Sequence, residues 1–278
     1  MIDKRNINDK IFWITGASSG IGEQLLYSLN EKGARVIISA RQEDQLIRIK
    51  NNCRNPDMVV AVPLDLLKHD TLFEIANEAL SIWGTIDTLI HNAGVVCKDL
   101  VTNIPSALDK KIMDINYFGP LILTKEILPS MIRKGSGQFV ITGSLSSKFG
   151  VPTLSAYAAA KHALLGFFES MRAEVFKQGI KITVAIPGFV QTAFTQKALK
   201  GDGTLYCKRD LSFYKGISAE ICAHKIVKAI EKEKEEVWIG GSEILSLYLQ
   251  RFFPRLFSKV IRNRPLRAIE NLKQKLNL

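Results

Sequence analysis

Seven short apolar runs, at 10–15, 36–40, 58–62, 85–90, 138–142, 180–186 and 236–239, alternate with longer stretches of helical composition along this 278-residue chain. Strands spaced in this way form βαβ units, because two parallel neighbours need a crossover long enough to hold a helix. Several runs are apolar at nearly every position, as a strand covered on both faces requires. The pattern predicts an α/β fold: one doubly wound, Rossmann-like domain with a seven-stranded parallel sheet flanked by helices. Hydrophobic residues make up 46% of the chain, enough for a sizeable core at this length. No Pro/Gly/Ser-rich linker and no internal repeat divides it, so a single domain is expected.

The first run leads into a glycine turn, Gly16-Ala-Ser-Ser-Gly20-Ile-Gly22, followed by a helical segment with Leu25, Leu26 and Leu29 on one stripe. Glycines there let backbone N–H groups approach a pyrophosphate at the helix N-terminus, where the dipole also favours an anion. The spacing differs from the usual Gly-x-Gly-x-x-Gly fingerprint, and a turn of this composition also serves as a plain connector.

A second constellation points to chemistry. Tyr157 and Lys161 stand four residues apart in a segment of helical composition, so they share one face a turn apart. A cation beside a phenol favours the phenolate, and an unperturbed tyrosine titrates near pH ~10, too high for ready proton exchange at neutral pH. Ser144 precedes Tyr157 by 13 residues and offers a hydroxyl to the same site. With six tyrosines in the chain, a Tyr-x-x-x-Lys pair alone arises readily by chance.

Taken in order, Thr15-Gly16-x-x-x-Gly20-Ile21-Gly22, Asn92-Ala93-Gly94, Ser144, Tyr157-x-x-x-Lys161 and Pro187-Gly188 resemble the motifs of the short-chain dehydrogenase/reductase family, over about residues 10–240. The resemblance implies a catalytic domain over 1–240 that binds NAD(H) or NADP(H) across the C-terminal edge of the sheet. It implies hydride transfer between nicotinamide C4 and a carbonyl or secondary alcohol carbon. Tyr157 is then the proton donor or acceptor, Lys161 lowers the phenol pKa and holds the nicotinamide ribose, and Ser144 stabilises charge on the substrate oxygen. Asn116, in Met113-Asp-Ile-Asn116, matches the fourth catalytic member, which positions a water. The cofactor positions implied are Gly16, Ser18, Ser19, Gly20, Ile21 and Gly22 at the turn, Asp65 at the adenine, and Asn92, Ala93 and Gly94 beneath the nicotinamide half. Tyr157, Lys161, Pro187, Gly188, Val190 and Thr192 complete the nicotinamide side. His91 stands where many relatives carry an Asn. Ser146 and Ser147 compete with Ser144 as the hydroxyl, but only Ser144 has the right offset. A non-catalytic cofactor-binding sensor or scaffold of the same fold is the alternative, and the presence of all four catalytic positions favours the enzyme.

Cofactor choice is read at the end of the second strand, where an acid would bond the 2′-hydroxyl of NAD. Here the strand ends Ser39-Ala40-Arg41, and a guanidinium suits the 2′-phosphate of NADP(H). Ser18 adds a hydrogen bond to the same phosphate. Arg41 could instead begin a solvated helix and pair with Glu43 or Asp44.

Phe189, Phe194, Leu199, Leu205, Tyr206, Phe213 and Tyr214, with Leu145, Phe149, Val151 and Leu154, suggest an apolar cleft for a lipophilic small-molecule carbonyl or alcohol. Small residues at Ala156, Ala159, Ala160 and Ala163 allow close helix packing in a homodimer or homotetramer. Cys53, Cys97, Cys207 and Cys222 show no pairing pattern, which fits reduced thiols in a cytoplasm. The four histidines have no metal-ligand spacing, and no metal site is expected.

The net charge is +11, and residues 241–278 hold eight Lys/Arg against two Glu. The excess is therefore concentrated at one end, and no nucleic-acid signature accompanies it. On a helical wheel this extension gathers Leu245, Tyr248, Leu249, Phe252, Phe253, Leu256 and Val260 on one side and Arg251, Arg255, Lys259 and Arg262 on another. Pro254 should split it into two helices. Such a segment either covers the cleft or a partner subunit, or lies in a membrane interface.

Overall fold

The computed structural model describes residues 6–206 and 216–262. Its strands are β1 (Ile11–Thr15), β2 (Arg35–Ser39), β3 (Val59–Ala61), β4 (Thr88–His91), β5 (Gly137–Thr142), β6 (Ile180–Pro187), β7 (Val190–Gln191), β8 (Ile217–Ser218) and β9 (Glu236–Ile239). Seven of them form one parallel sheet in the order β3-β2-β1-β4-β5-β6-β9, and β7 and β8 pair separately. The chain starts in the middle of the sheet, winds outward to β3, then returns to β4 beside β1. That reversal opens a crevice at the C-terminal ends of β1 and β4, where doubly wound sheets bind ligands.

Period-two alternation assigns each side chain to one of two apolar layers. Phe12 and Ile14 of β1 join Leu25 and Leu29 of α1 (Gly20–Asn30), Leu46 and Ile49 of α2 (Glu43–Asn51), and buried residues near the chain's end. Ile11 and Trp13 face the other way. They meet Leu72 of α3 (Leu72–Trp83) and the layer that also holds Leu123 and Ile127, Leu164 and Phe168. Between those come α4 (Ser106–Met113), α5 (Gly119–Lys134) and α6 (Ser155–Glu174). The helix α7 (Ala219–Glu231) completes the first layer with Ile226, Val227 and Ile230. Ser218 caps α7 by accepting a hydrogen bond from Ile221 N at 3.1 Å.

Strand bounds differ slightly from the apolar runs. The apolar run at 85–90 is regular strand from Thr88; Asp87 just before it is already bonded through its backbone to Ile11 O at 2.9 Å and Gln138 N at 3.0 Å, while its buried carboxylate accepts from Ile11 N at 2.9 Å and pairs with Lys134 at 2.5 Å. Beyond the sheet, α8 (Leu245–Phe252) and α9 (Pro254–Arg262) break at Phe253, as Pro254 dictates. Of the apolar side read from the sequence only Leu249 packs against the core, and the helices are seated by two residues outside that reading. Leu247 and Phe257 turn inward, Phe257 packing edge-on to Phe149 with ring centroids 4.7 Å apart, while Leu245, Tyr248, Phe252, Phe253, Leu256 and Val260 are exposed.

The alanines of α6 divide as well. Ala156 and Ala160 are buried against Ile104, Leu108 and Ile112 within the chain, whereas Ala159 remains exposed and Ala163 half-buried.

Candidate active site

The crevice is held open by a polar lattice across three strand ends. Thr15 Oγ1 donates to Ile90 O at 3.3 Å and accepts from Asn92 N and Ala93 N, each at 3.2 Å. Asn92 Nδ2 donates to Gly16 O at 3.0 Å, and Asn92 Oδ1 accepts from Thr142 Oγ1 at 3.3 Å. Thr15, which opens the glycine motif, and Thr142 therefore share in building the site, although nothing in the local sequence of Thr142 singles it out beyond a strand end. Gly16 and Gly20 have φ of +67° and +62°, and a Cβ on Gly16 would lie 2.6 Å from Ala93 Cα. Only glycine fits such a turn at low cost. Gly22 is excluded from substitution by Gly16 O and the Asn92 amide instead, so its role is close helix–strand packing.

Ser19 is the N-cap of α1, yet its side chain makes no capping bond, so among the described residues the N-cap leaves the first N–H groups of the helix uncapped. An anion fits that end. Ser18 and Ile21 are half-buried beside it and Ser19 is exposed. Ala17 N donates to Ser39 O at 3.1 Å, fixing the turn to the end of β2 next to exposed Arg41. Among the described residues Arg41 forms no ion pair, with Glu43 or Asp44 or otherwise. Asp65 is half-buried after β3 and accepts from Leu67 N at 3.1 Å. This donor set, an uncapped helix end with a nearby guanidinium, fits a dinucleotide carrying phosphate.

Across the crevice, α6 brings Tyr157 and Lys161 to the end of β5. Lys161 Nζ is buried, donates to Thr142 O at 2.9 Å and lies 5.8 Å from the centroid of the Tyr157 ring. Loss of hydration holds its pKa down to about 8. Burial pushes the Tyr157 phenol up to about 12, opposed by a hydrogen bond with the Ser144 side chain. The phenol is governed by desolvation and by Ser144, while the Lys161 ammonium expected to lower it is bonded to a backbone carbonyl.

Ser144 is chosen over its neighbours by local geometry. Ser147 Oγ accepts from Ser144 N at 3.0 Å and Ser144 Oγ accepts from Ser146 N at 3.1 Å, a reciprocal cap on the turn Leu145–Ser147 that buries Ser146 and Ser147. Asn116 lies in a π-helical turn, Asp114–Phe118, and is fully buried. Its amide donates to Val95 O at 3.0 Å and Ile112 O at 2.8 Å and accepts from Val95 N at 3.2 Å. Both amide hydrogens are committed to backbone, so Asn116 ties the Asn92–Val95 loop to this helix. Gly94 is required there, since a Cβ would lie 2.7 Å from Asn116 Oδ1.

After β6, Pro187 and Val190 are buried and Gly188 and Thr192 half-buried, and a Cβ on Gly20 would lie 3.1 Å from Thr192 Cγ2, which brings this loop against the glycine turn. On the substrate side Val96, Leu154, Phe194, Ala198 and Tyr206 gather around Tyr157, with Phe194 6.0 Å from its ring. Leu145, Phe149 and Val151 pack into the core layer rather than this wall. Leu199 joins the cluster behind α4, and Leu205 is exposed. Phe213, Tyr214 and Cys207 lie outside the described residues.

The family model "short chain dehydrogenase" matches residues 10–203. A Drosophila melanogaster "Dehydrogenase/reductase SDR family protein 7-like" is 33% identical over 98% of this chain and 85% of its own length. The chain belongs to the short-chain dehydrogenase/reductase family. It is an oxidoreductase whose fold binds a nicotinamide cofactor. Among solved members of this family, one from Burkholderia phymatum in complex with NAD aligns with a TM-score of 0.79, at 19% identity over 90% of this chain and 96% of that one. Another from Burkholderia cenocepacia, in complex with NADP, gives 0.76 at 22% identity over 94% and 100%. These likenesses bear on the fold, and the helical C-terminal extension continues from it.

Proposed function

We propose that this oxidoreductase is an NADP(H)-dependent carbonyl reductase acting on a lipophilic ketone or aldehyde. The observation that carries this reading is geometric: the Tyr157 hydroxyl is bonded to Ser144, beside Lys161 and against an apolar wall, so that one substrate oxygen can meet both hydroxyls. The bound cofactor supplies the hydride. Tyr157 Oη gives its proton to the oxygen of the forming alcohol, and Ser144 Oγ donates a hydrogen bond to that oxygen as charge develops there. Lys161, bonded to Thr142 O, holds the nicotinamide ribose and returns a proton to Tyr157. Asn116 is a positioning residue that fixes the floor of Asn92, Ala93 and Gly94.

In the same reading Gly16, Ser19, Gly20, Ile21 and Gly22 present the pyrophosphate site, Asp65 meets the adenine, and Pro187, Gly188, Val190 and Thr192 hold the carboxamide. Arg41 and Ser18 take the 2′-phosphate, supported by the guanidinium at the tip of β2, exposed and without an ion pair among the described residues. The wall of Val96, Leu154, Phe194, Ala198 and Tyr206 supports an apolar substrate. A homodimer or homotetramer would pack through α5, the turn that leads into it, and α6, where Phe118, Ile132 and Ala159 are exposed. Buried free thiols at Cys53, Cys97 and Cys222 support a reducing compartment, and we place the reaction in the cytoplasm.

The test is NADPH oxidation against a panel of lipophilic and polar ketones, with Arg41→Ala alongside. Loss of a charge-assisted phosphate contact should raise the KM for NADPH by about ten- to a hundredfold and leave NADH nearly unaffected. Equal losses with both cofactors would refute the NADP assignment, and no turnover with any ketone would refute the reductase.

A further inference from the structure

The exposed face of α8 and α9 is unlike the rest of the surface. Leu245, Tyr248 and Phe252 follow one another along the outer side of α8, opposite the buried Leu247. Phe253 at the break and Leu256 and Val260, which share a side of α9, add to the apolar surface, and each of these six side chains is at least half exposed. Beside it on α9 stand Arg255, Lys259 and Arg262, about a third of a turn away from Leu256 and Val260 and away from the buried Phe257. From Ile244 to Arg262 the chain contains four Lys/Arg and no acid. Glu243, just before it, is turned inward, accepting from Phe189 N at 2.9 Å.

We propose that this face docks the protein on an anionic membrane surface, with the Phe, Tyr, Leu and Val side chains entering the headgroup boundary and the Arg/Lys row meeting lipid phosphates and carboxylates. Charge decides among the possible occupants. The sequence that follows α9 carries Arg264, Arg267, Lys273 and Lys275 against a single Glu270, so its net charge has the same sign as the face and adds to the attraction for an anionic surface. A second copy meeting this one face to face would bring two all-basic rows together. An anionic bilayer complements both features at once. Among the described residues no helix is long and apolar enough to cross a membrane, so the contact is interfacial. Glu243 links the docking helices to the Gly188–Phe189 loop, so the membrane contact and the site share one structural unit. The proposal is independent of the cofactor and substrate assigned above.

The full-length protein is sedimented with vesicles of phosphatidylcholine alone or with phosphatidylserine, at about 0.1 M and about 1 M salt. Binding should appear with the anionic vesicles and fall at least tenfold at the higher salt. Phe252→Ser with Phe253→Ser, and separately Arg255→Glu with Lys259→Glu, should each weaken it at least tenfold, since each basic side chain near such a surface is worth about fivefold. Thermal melts should be unchanged because all four side chains are exposed, and the charge pair supplies the readout if the aromatic pair melts early. Absence of binding to anionic vesicles by the wild type, or binding undiminished in both double variants, would overturn the proposal. So would light scattering in which Phe252→Ser with Phe253→Ser turns a dimer into a monomer, which would make the face a contact between copies.

Discussion

Tyr157 and Lys161 could be set on one face from their spacing because a helix brings residues four apart together, and Ser144 followed from its offset of 13 in the resemblance, whereas their protonation could not be read, since burial is a property of the folded surroundings. The neighbouring cation suggested a lowered phenol, and the desolvated site holds it at about 12 instead. Tyr157→Phe should therefore cost kcat about 10²–10⁴-fold while cofactor affinity stays nearly unchanged in a fluorescence titration; retention of wild-type kcat would remove Tyr157 as donor. Lys161 gives a prediction on stability. Its descent from 10.5 to about 8 corresponds to roughly 3 kcal/mol against the charged form in the fold. Between pH 8 and 10.5 the unfolded chain binds a proton that the folded chain has shed, so stability from this group rises with pH across that window. Lys161→Met removes the charge but leaves Thr142 O without its donor, a cost of about 1–3 kcal/mol. The variant should lie within about 2 kcal/mol of wild type at pH 7 and lose ground to it at pH 9.5 in urea unfolding. Equal differences at the two pH values would contradict this.

At the scale of elements, the seven sheet strands could be read because each carries an apolar run of its own, and only the ends moved, as at Asp87. The pair β7 and β8 could not, because two residues are too few to carry a period. Glu243 is the sharper case. It belongs by sequence to the extension, yet its carboxylate accepts from Phe189 N at 2.9 Å and Gly241 N at 3.0 Å, and it blocks any side chain at Gly188. No local pattern relates residues so far apart in the chain. Glu243→Ala removes the acceptor that fixes the loop carrying Val190 and Thr192. A hydrogen bond to a charged group lost in this way should cost about 1.5–3 kcal/mol of stability and raise the cofactor KM several-fold, with kcat less affected. Glu243→Gln keeps a carbonyl acceptor and should recover most of both. An Ala variant with wild-type KM would show that the extension does not support the loop.

The whole molecule inherits one liability from the centre of its sheet, where His91 ends β4. The sequence marked this position only as a departure from the resemblance, and the structure gives it physical content. The imidazole is buried, its Nε2 within 2.8 Å of Thr124 Oγ1, its ring between Phe139 and Phe168 with centroids 6.4 and 5.6 Å away, and its Nδ1 without a partner among the described residues. Burial, aided by the charge of Lys161, holds its pKa down to about 3. Between pH 6.5 and 3 the unfolded chain therefore takes up a proton that the folded chain refuses, and stability falls as the pH falls, by about 1.4 kcal/mol per pH unit once well below 6.5. Because the ring touches strands and helices of one continuous layer, the loss applies to unfolding of the sheet as a whole. His91→Gln keeps a polar group for Thr124 and carries no titrating charge. Its stability should be lower than wild type at pH 7, where packing on Phe139 and Phe168 is lost, and the gap should narrow by about 2 kcal/mol at pH 5. Urea midpoints at the two pH values, with the slope of the transition held constant, measure this directly. A gap that stays the same from pH 7 to pH 5 would assign the acid sensitivity of the fold to groups other than His91.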